Sequence, residues 1–199
     1  MDVKIRRNQT EKDHKINQII DHEWAMFDRV RNEGGRASCQ DDAETFYIMR
    51  YSQFVAFPVK VLDSYYNDIL MAELEGRNLL MEKYGYMMER TDPEYFENVL
   101  RKALPEITPQ KNAVVDGITS ILTEQEIAYL KANPEMAAKS RPVIESIGGW
   151  TSSRDYLEGE LKTYSFQTLT QLLQHLAEPK KPGEPDMVEQ IHATTLSFY

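Results

Sequence analysis

The sequence predicts an all-α protein: a bundle of about five major helices with shorter helices packed across it and no significant sheet. Two observations carry that expectation. Apolar residues recur at spacings of three and four along most of the chain, while no segment alternates apolar and polar residues long enough for a strand. Stop and cap residues (glycine, proline, aspartate, serine) fall at the ends of these periodic segments.

The first helix is expected from about Thr10 to about Asn32. It is stopped by Gly34 and Gly35, since glycine just past a helix end is a common C-terminal signal. Asp41 or Asp42 can cap a second helix, Asp41 and Glu44 having capping-box spacing. That helix runs to about Phe57, ahead of Pro58, with Phe46, Met49 and Phe57 as its expected stripe. A long third helix covers about Val59 to Arg90. "TDPEYFENVLRKALP" reads as a fourth, with Asp92 as N-cap and Pro93 in the first turn. Shorter helices follow over Pro109–Leu122 and, behind the capping-box sequence "TEQE", over Glu124–Ala132, with a turn or two after Pro134. "SRPVIESIGGWTSS" reads as a surface-packed loop. Ser152 or Ser153 can cap a last long helix from about Arg154 to Leu176, with Leu157, Leu161, Tyr164, Thr168 and Leu172 as its buried stripe. "AEPKKPGEPD", with three prolines and a glycine, is a linker. The resulting organisation is a single domain over 1–177, a linker over 178–186 and a helical tail over 187–199. Val188, Ile191 and Phe198 mark an apolar face on the tail, fit to dock on the body or on a second copy in a homo-oligomer.

Composition bounds the function. The chain has 199 residues, 41% hydrophobic and 28% charged, with a formal net charge of −9. An acidic chain without a basic stripe is a poor nucleic-acid binder. No apolar run reaches the ~18 residues of a membrane span. The N-terminus is polar, without the apolar core of a signal peptide, and the single cysteine suits a reducing compartment, so a cytoplasmic protein is expected.

Polar residues inside the apolar stripes are the chemical signal. Ile16, Ile20, Phe27 and Val30 share one face of the first helix, and Glu23 falls among them. An ionised carboxylate there must pair, be neutralised or line a wet cavity. In the second helix Arg50 and Gln53 sit within or beside the stripe, and a buried arginine needs acceptors. Helices joined by a short loop pack antiparallel, so Glu23 and Arg50 can meet. In the loop between them, Arg36, Cys39, Gln40 and Asp41 gather at one end of both helices, where helix amides form an anion site. Cys39 near that end is a candidate nucleophile, opposed by the neighbouring aspartates and by the absence of a partnered histidine; a buried structural cysteine is the leading alternative and a ligand contact the other. Glu160 flanks the last stripe beside Tyr164, and Gly159 permits close helix approach. Glu11 with His14 and Glu189 with His192 have the Glu-x-x-His spacing of di-iron bundles, although both lie near chain ends.

"HEWAMFDRVRNEGGRASCQDD" followed by "TFYIMRYSQFVAF" resembles the opening signature of a bacterial family known only as domain of unknown function 4125, and "YLEGELKTYSFQTL" resembles its closing signature. The resemblance spans about residues 16 to 177. It implies a small, intracellular, helical bacterial protein and implies no activity. Its matching positions are Glu23, Trp24, Asn32, Gly34, Gly35, Arg36, Cys39, Gln40, Asp41, Arg50, Gln53, Glu160 and Tyr164. Phe57 stands where the family has tryptophan and Glu158 where it has arginine. Residues 105 to 150 carry no resemblance.

Three readings remain open. In the first, a small charged metabolite binds, with Glu23 as acid/base or charge partner, Arg36 and Arg50 holding an anion, and Gln40, Gln53 and Tyr164 orienting it. In the second, a non-enzymatic interaction or regulatory protein uses Glu23–Arg50 as a structural pair and offers its tail and the aromatic faces around Phe54, Tyr65 and Tyr66. In the third, carboxylates and histidines hold a metal. The sequence identifies no cofactor and no definite metal site.

Overall fold

The computed structural model describes residues 3–31, 35–147 and 150–199. The chain is 68% helical, and among the described residues there are ten α-helices and no strand. The all-α expectation is borne out. The one bridge, between Ile147 and Trp150, is isolated. Contacts divide the chain into two compact units, residues 1–81 with 189–199, and residues 82–188.

The first unit is built on three helices: α1 (Glu11–Asp28), α2 (Ala43–Val55) and α3 (Val59–Leu74). Thr10 caps α1 through a reciprocal capping box with Asp13, which satisfies two otherwise orphaned amides. α1 ends at Asp28, short of the expected Asn32. Asn32 and Gly34 lie outside the described residues, and Gly35, although its φ of 88° is left-handed, stands six residues beyond the Arg29 C-cap and does not stop α1. A short 3-10 turn, Ser38–Asp41, precedes α2. Asp42, not Asp41, is the cap, its side chain accepting from the Thr45 amide. α2 runs antiparallel to α1: Lys12 reaches the Val55 carbonyl near one end, and Phe27 stacks on Phe46 near the other. The buried face of α2 is Tyr47, Tyr51 and Phe54, whereas Met49, expected in the stripe, is exposed. α3 runs parallel to α1, Lys15 pairing with Asp63 and His22 with Glu73.

The expected third helix is two. α3 stops at Leu74, and α4 (Leu79–Thr91) starts after a break. Gly76 adopts φ 70°, Arg77 donates back to the Ala72 carbonyl and Gly76 to that of Glu73. These two bonds satisfy the last carbonyls of α3 in a Schellman motif. Asn78 then accepts from the Met81 amide to open α4.

The second unit holds most of α4, then α5 (Pro93–Tyr95) running into a π turn over Phe96–Leu100, then α6 (Pro109–Ala132), α7 (Pro134–Ala137), α8 (Ser153–Leu161) and α9 (Phe166–Ala177). α6 is continuous through "TEQE": no glycine or proline stands between Ile118 and Ala132, and a capping sequence helps only where a helix must begin. The expected last helix is again two, broken where Ser165 accepts from the Thr168 amide and starts α9. α6 packs on both α8 and α9. α10 (Met187–Leu196) follows the proline-containing segment. Its end lies in the first unit, where Phe198 meets the rings of Tyr47 and Tyr51 and Arg7 lies 4.3 Å from the Phe198 centroid. Within that unit the tail docks on its own chain.

Candidate functional site

The two stripe-breaking residues of α1 and α2 meet. Glu23 is 0% exposed and Arg50 is 7% exposed. Arg50 donates from Nε and Nη2 to the two Glu23 oxygens, each at 2.7 Å. This is the bidentate fork that makes arginine fit a carboxylate better than lysine does. Tyr65 on α3 donates its hydroxyl to Glu23 Oε1 at 2.7 Å. Gln53, one turn on from Arg50, accepts from its Nη1, and the guanidinium lies 4.5 Å from the Phe54 ring centroid. Phe54 and Tyr65 are buried, so they do not form the expected aromatic surface.

The loop residues do a different job. Gln40 is buried and donates from Nε2 to the carbonyls of Phe27 and Val30, while its Oε1 accepts from the Ala37 amide. It therefore caps the C-terminal end of α1, whose last carbonyls have no partner within the helix. Arg36 is exposed and ties Asp41, Asp28 and the Gln40 carbonyl together. Asp41 and then Asp28 hold its guanidinium more firmly protonated than usual. Cys39 is a free, exposed thiol, so it is not a buried structural cysteine. Arg36, Gln40 and Asp41 thus form one small network at the loop, and Glu23, Arg50 and Gln53 another between the helices.

Glu160 and Tyr164 belong to the second unit, where they join a residue that sequence reasoning missed. Lys83 on α4 is 3% exposed and donates to Glu160 Oε2 at 2.6 Å. Tyr164 donates to Glu160 Oε1 at 2.8 Å. The Lys83 ammonium lies 3.8 Å from the Tyr156 ring centroid, close enough for a strong cation–π contact. Beside it, Lys162 binds both Glu89 and Glu158, and Arg90 binds Glu158 and Asp155. Burial pushes the Lys162 ammonium down, but the bonds it donates to Glu89 and Glu158 outweigh this and leave it above its ordinary value. Glu158 is likewise raised by burial and lowered further by Lys162 and Arg90, for a net fall. The departure from family pattern at Glu158 is thus matched by two cations.

Two further features escaped the sequence. Asp13 accepts from Tyr51 at 2.5 Å and from the Gln9 and Thr10 amides. Burial raises its pKa, yet these bonds, Tyr51's first, hold it below the usual carboxylate range. The partner phenol is pushed well above its ordinary value by burial and by Asp13. The second feature is a cleft of about 310 Å³ lined by Arg29, Glu73, Gly76, Arg77, Asn78 and Met81. No sequence pattern marks it, because it is made by three helix ends. Among the described residues, no three His, Cys, Asp or Glu side chains gather to hold a metal, and no helix is long and apolar enough to cross a membrane.

No curated protein and no solved structure matches the chain. The family model described as protein of unknown function (DUF4125) matches residues 13–199. That match takes in both halves of the sequence signature, the Glu23–Arg50 pair and the Glu160–Tyr164 pair, and the chain belongs to that family.

Proposed function

We propose that this chain is a non-enzymatic helical binding protein, in which the Glu23–Arg50 pair holds α1 against α2 and takes part in no reaction. The state of the Glu23 carboxylate supports this reading best. At 0% exposure, no space large enough for a water molecule adjoins it. Arg50 and Tyr65 already engage its oxygens. A general acid or base must come within hydrogen-bond reach of a substrate proton. A cytoplasmic setting suits the lone exposed thiol of Cys39.

The substitution Glu23→Gln tests it. Arg50 loses its buried counter-charge, and the expected cost is about 3 kcal/mol in urea unfolding. A variant that keeps its stability but loses a compound bound by the wild type would instead make Glu23 part of a site.

A second reading, binding of a small charged metabolite, is favoured by the cleft between Arg29 and Arg77. Its volume of about 310 Å³ stands at the low end for small-molecule sites. A thermal-shift screen of metabolites and nucleotides on the wild type tests that reading as a whole.

A further inference from the structure

Along the parallel seam of α1 and α3, polar side chains pair across the two helices. Lys15 lies 3.1 Å from Asp63 and His22 lies 2.8 Å from Glu73. The seam then opens into the cleft, where α1 and α3 end and α4 begins. Of the charged residues lining it, Glu73 is engaged by His22 and Arg77 binds Glu75 at 2.9 Å. Arg29 commits only its Nε, to the Ala25 carbonyl of its own helix. Among the described residues, its terminal nitrogens have no hydrogen-bond or ion-pair partner. The outer edge of a guanidinium is the edge that takes a carboxylate or phosphate in two parallel bonds.

The surroundings are built rather than loose. Asn78 donates to the Met26 carbonyl of α1 and accepts from the Met81 amide at the start of α4, so one side chain ties two helix ends. Gly76 leaves bare backbone there: a Cβ at that position would meet nothing within 4 Å. α4 contributes the positive end of a 13-residue helix. Opposing this are Glu73 and the negative ends of α1 and α3. The latter are capped, α1 at Met26 by Asn78 and Arg29, and α3 at Ala72 and Glu73 by Arg77 and Gly76.

We infer that this cleft binds a small anion bearing a carboxylate or phosphate, held by the outer edge of Arg29 with Arg77 adding charge. The inference rests on the small-ligand reading above and names its site and ligand class. Arg29 is exposed, so replacing it leaves the fold intact.

The experiment titrates inorganic phosphate and, separately, succinate into the full-length chain at low ionic strength. Amide chemical shifts around residues 73–81 report binding. The expected result is saturable binding of at least one probe, weakened about tenfold or more by Arg29→Gln, as loss of a charge-assisted fork requires. Glu73→Gln should tighten it severalfold by removing the opposing charge. Saturation by phosphate alone or succinate alone supports the site and fixes which group it takes. Absence of saturation by both, or saturation unchanged in Arg29→Gln, overturns it. A compound from the thermal screen that stabilises wild type and Arg29→Gln equally would leave the small-ligand reading standing and remove it from this cleft.

Discussion

Each unit of the molecule holds a buried carboxylate engaged by both a cation and a tyrosine hydroxyl, and the two use different cations. In the first unit Glu23 receives both arms of Arg50 and the hydroxyl of Tyr65. In the second, Glu160 receives the point charge of Lys83 and the hydroxyl of Tyr164. Arginine fixes both the distance and the angle of its partner, because its fork is planar. Lysine fixes only the distance, and its ammonium is more strongly hydrated, so burying it needs compensation. The second unit supplies that compensation through the Tyr156 ring and through a close helix approach. A Cβ on Gly159 of α8 would stand 2.8 Å from the Lys83 carbonyl of α4 and 2.6 Å from Met87 Cγ. One carboxylate is thus oriented by the cation itself, the other by the packing around the cation.

The largest expected effect comes from removing the less constrained cation. Lys83→Met keeps the volume of the side chain and leaves Glu160 without its counter-charge. Breaking a buried pair from one side costs about 3–5 kcal/mol, to be read from urea unfolding at neutral pH. The loss should shrink as pH falls, because an uncompensated buried carboxylate is relieved by taking a proton. A cost below about 1 kcal/mol at neutral pH, the range of an exposed pair, would mean that packing alone holds α4 to α8.

Next comes the packing. Gly159→Ala adds one methyl against a backbone carbonyl, which cannot swing aside as a side-chain end can. Overpacking of this kind costs about 1–3 kcal/mol, and the helix-propensity gain of about 1 kcal/mol over glycine does not cancel it. A stabilised variant would show that the helices separate freely, which removes the proposed difference between the two pairs. Thermal unfolding of Gly159→Ala beside wild type is sufficient.

The two pairs also differ in how far they could be read beforehand. Glu23 and Arg50 each interrupt an apolar stripe on a well-bounded helix, and the short loop between those helices sets them antiparallel, so periodicity and connectivity together bring the two side chains to one place. Glu160 and Tyr164 stood out by their spacing, but Lys83 did not, because residues 59–90 read as one helix and the face of α4 was lost with its start. The missing signal was present in "EGRN". Gly76 takes a left-handed turn and Asn78 opens the next helix, yet a single glycine inside a helical pattern is often tolerated. Ser165 hid the α8–α9 break in the same way. In the loop, Gln40 caps the end of α1, a role that sequence spacing cannot express because its acceptors are backbone atoms 10 and 13 residues away. The Arg29 cleft was illegible for a related reason: it is made where three helices end, and periodicity describes only their middles.

The smallest expected effect separates the units by pH. In the first unit, Asp13 titrates below its ordinary value because bonds from Tyr51, Thr10 and Gln9 outweigh burial. Its folded pKa is therefore lower than the unfolded value of about 3.9. The stability it contributes is present above that value and is lost as pH falls through the folded one. Its partner has the opposite sign. Burial and Asp13 raise the Tyr51 phenol, so that contribution is present below about pH 10 and fades as pH rises through the folded value. Asp13→Asn should flatten the acid limb of the stability curve by about 1 kcal/mol. It should also let Tyr51 ionise at lower pH, since one of its two main restraints is gone, an effect visible in the phenolate absorbance. In the second unit, Glu158 carries the acid-side dependence, held low by Lys162 and Arg90 against burial. Glu158→Gln should flatten the acid limb while leaving the Tyr51 titration where it was. If Asp13→Asn leaves Tyr51 unmoved as well, the short bond between them does not set the phenol, and burial alone accounts for its shift.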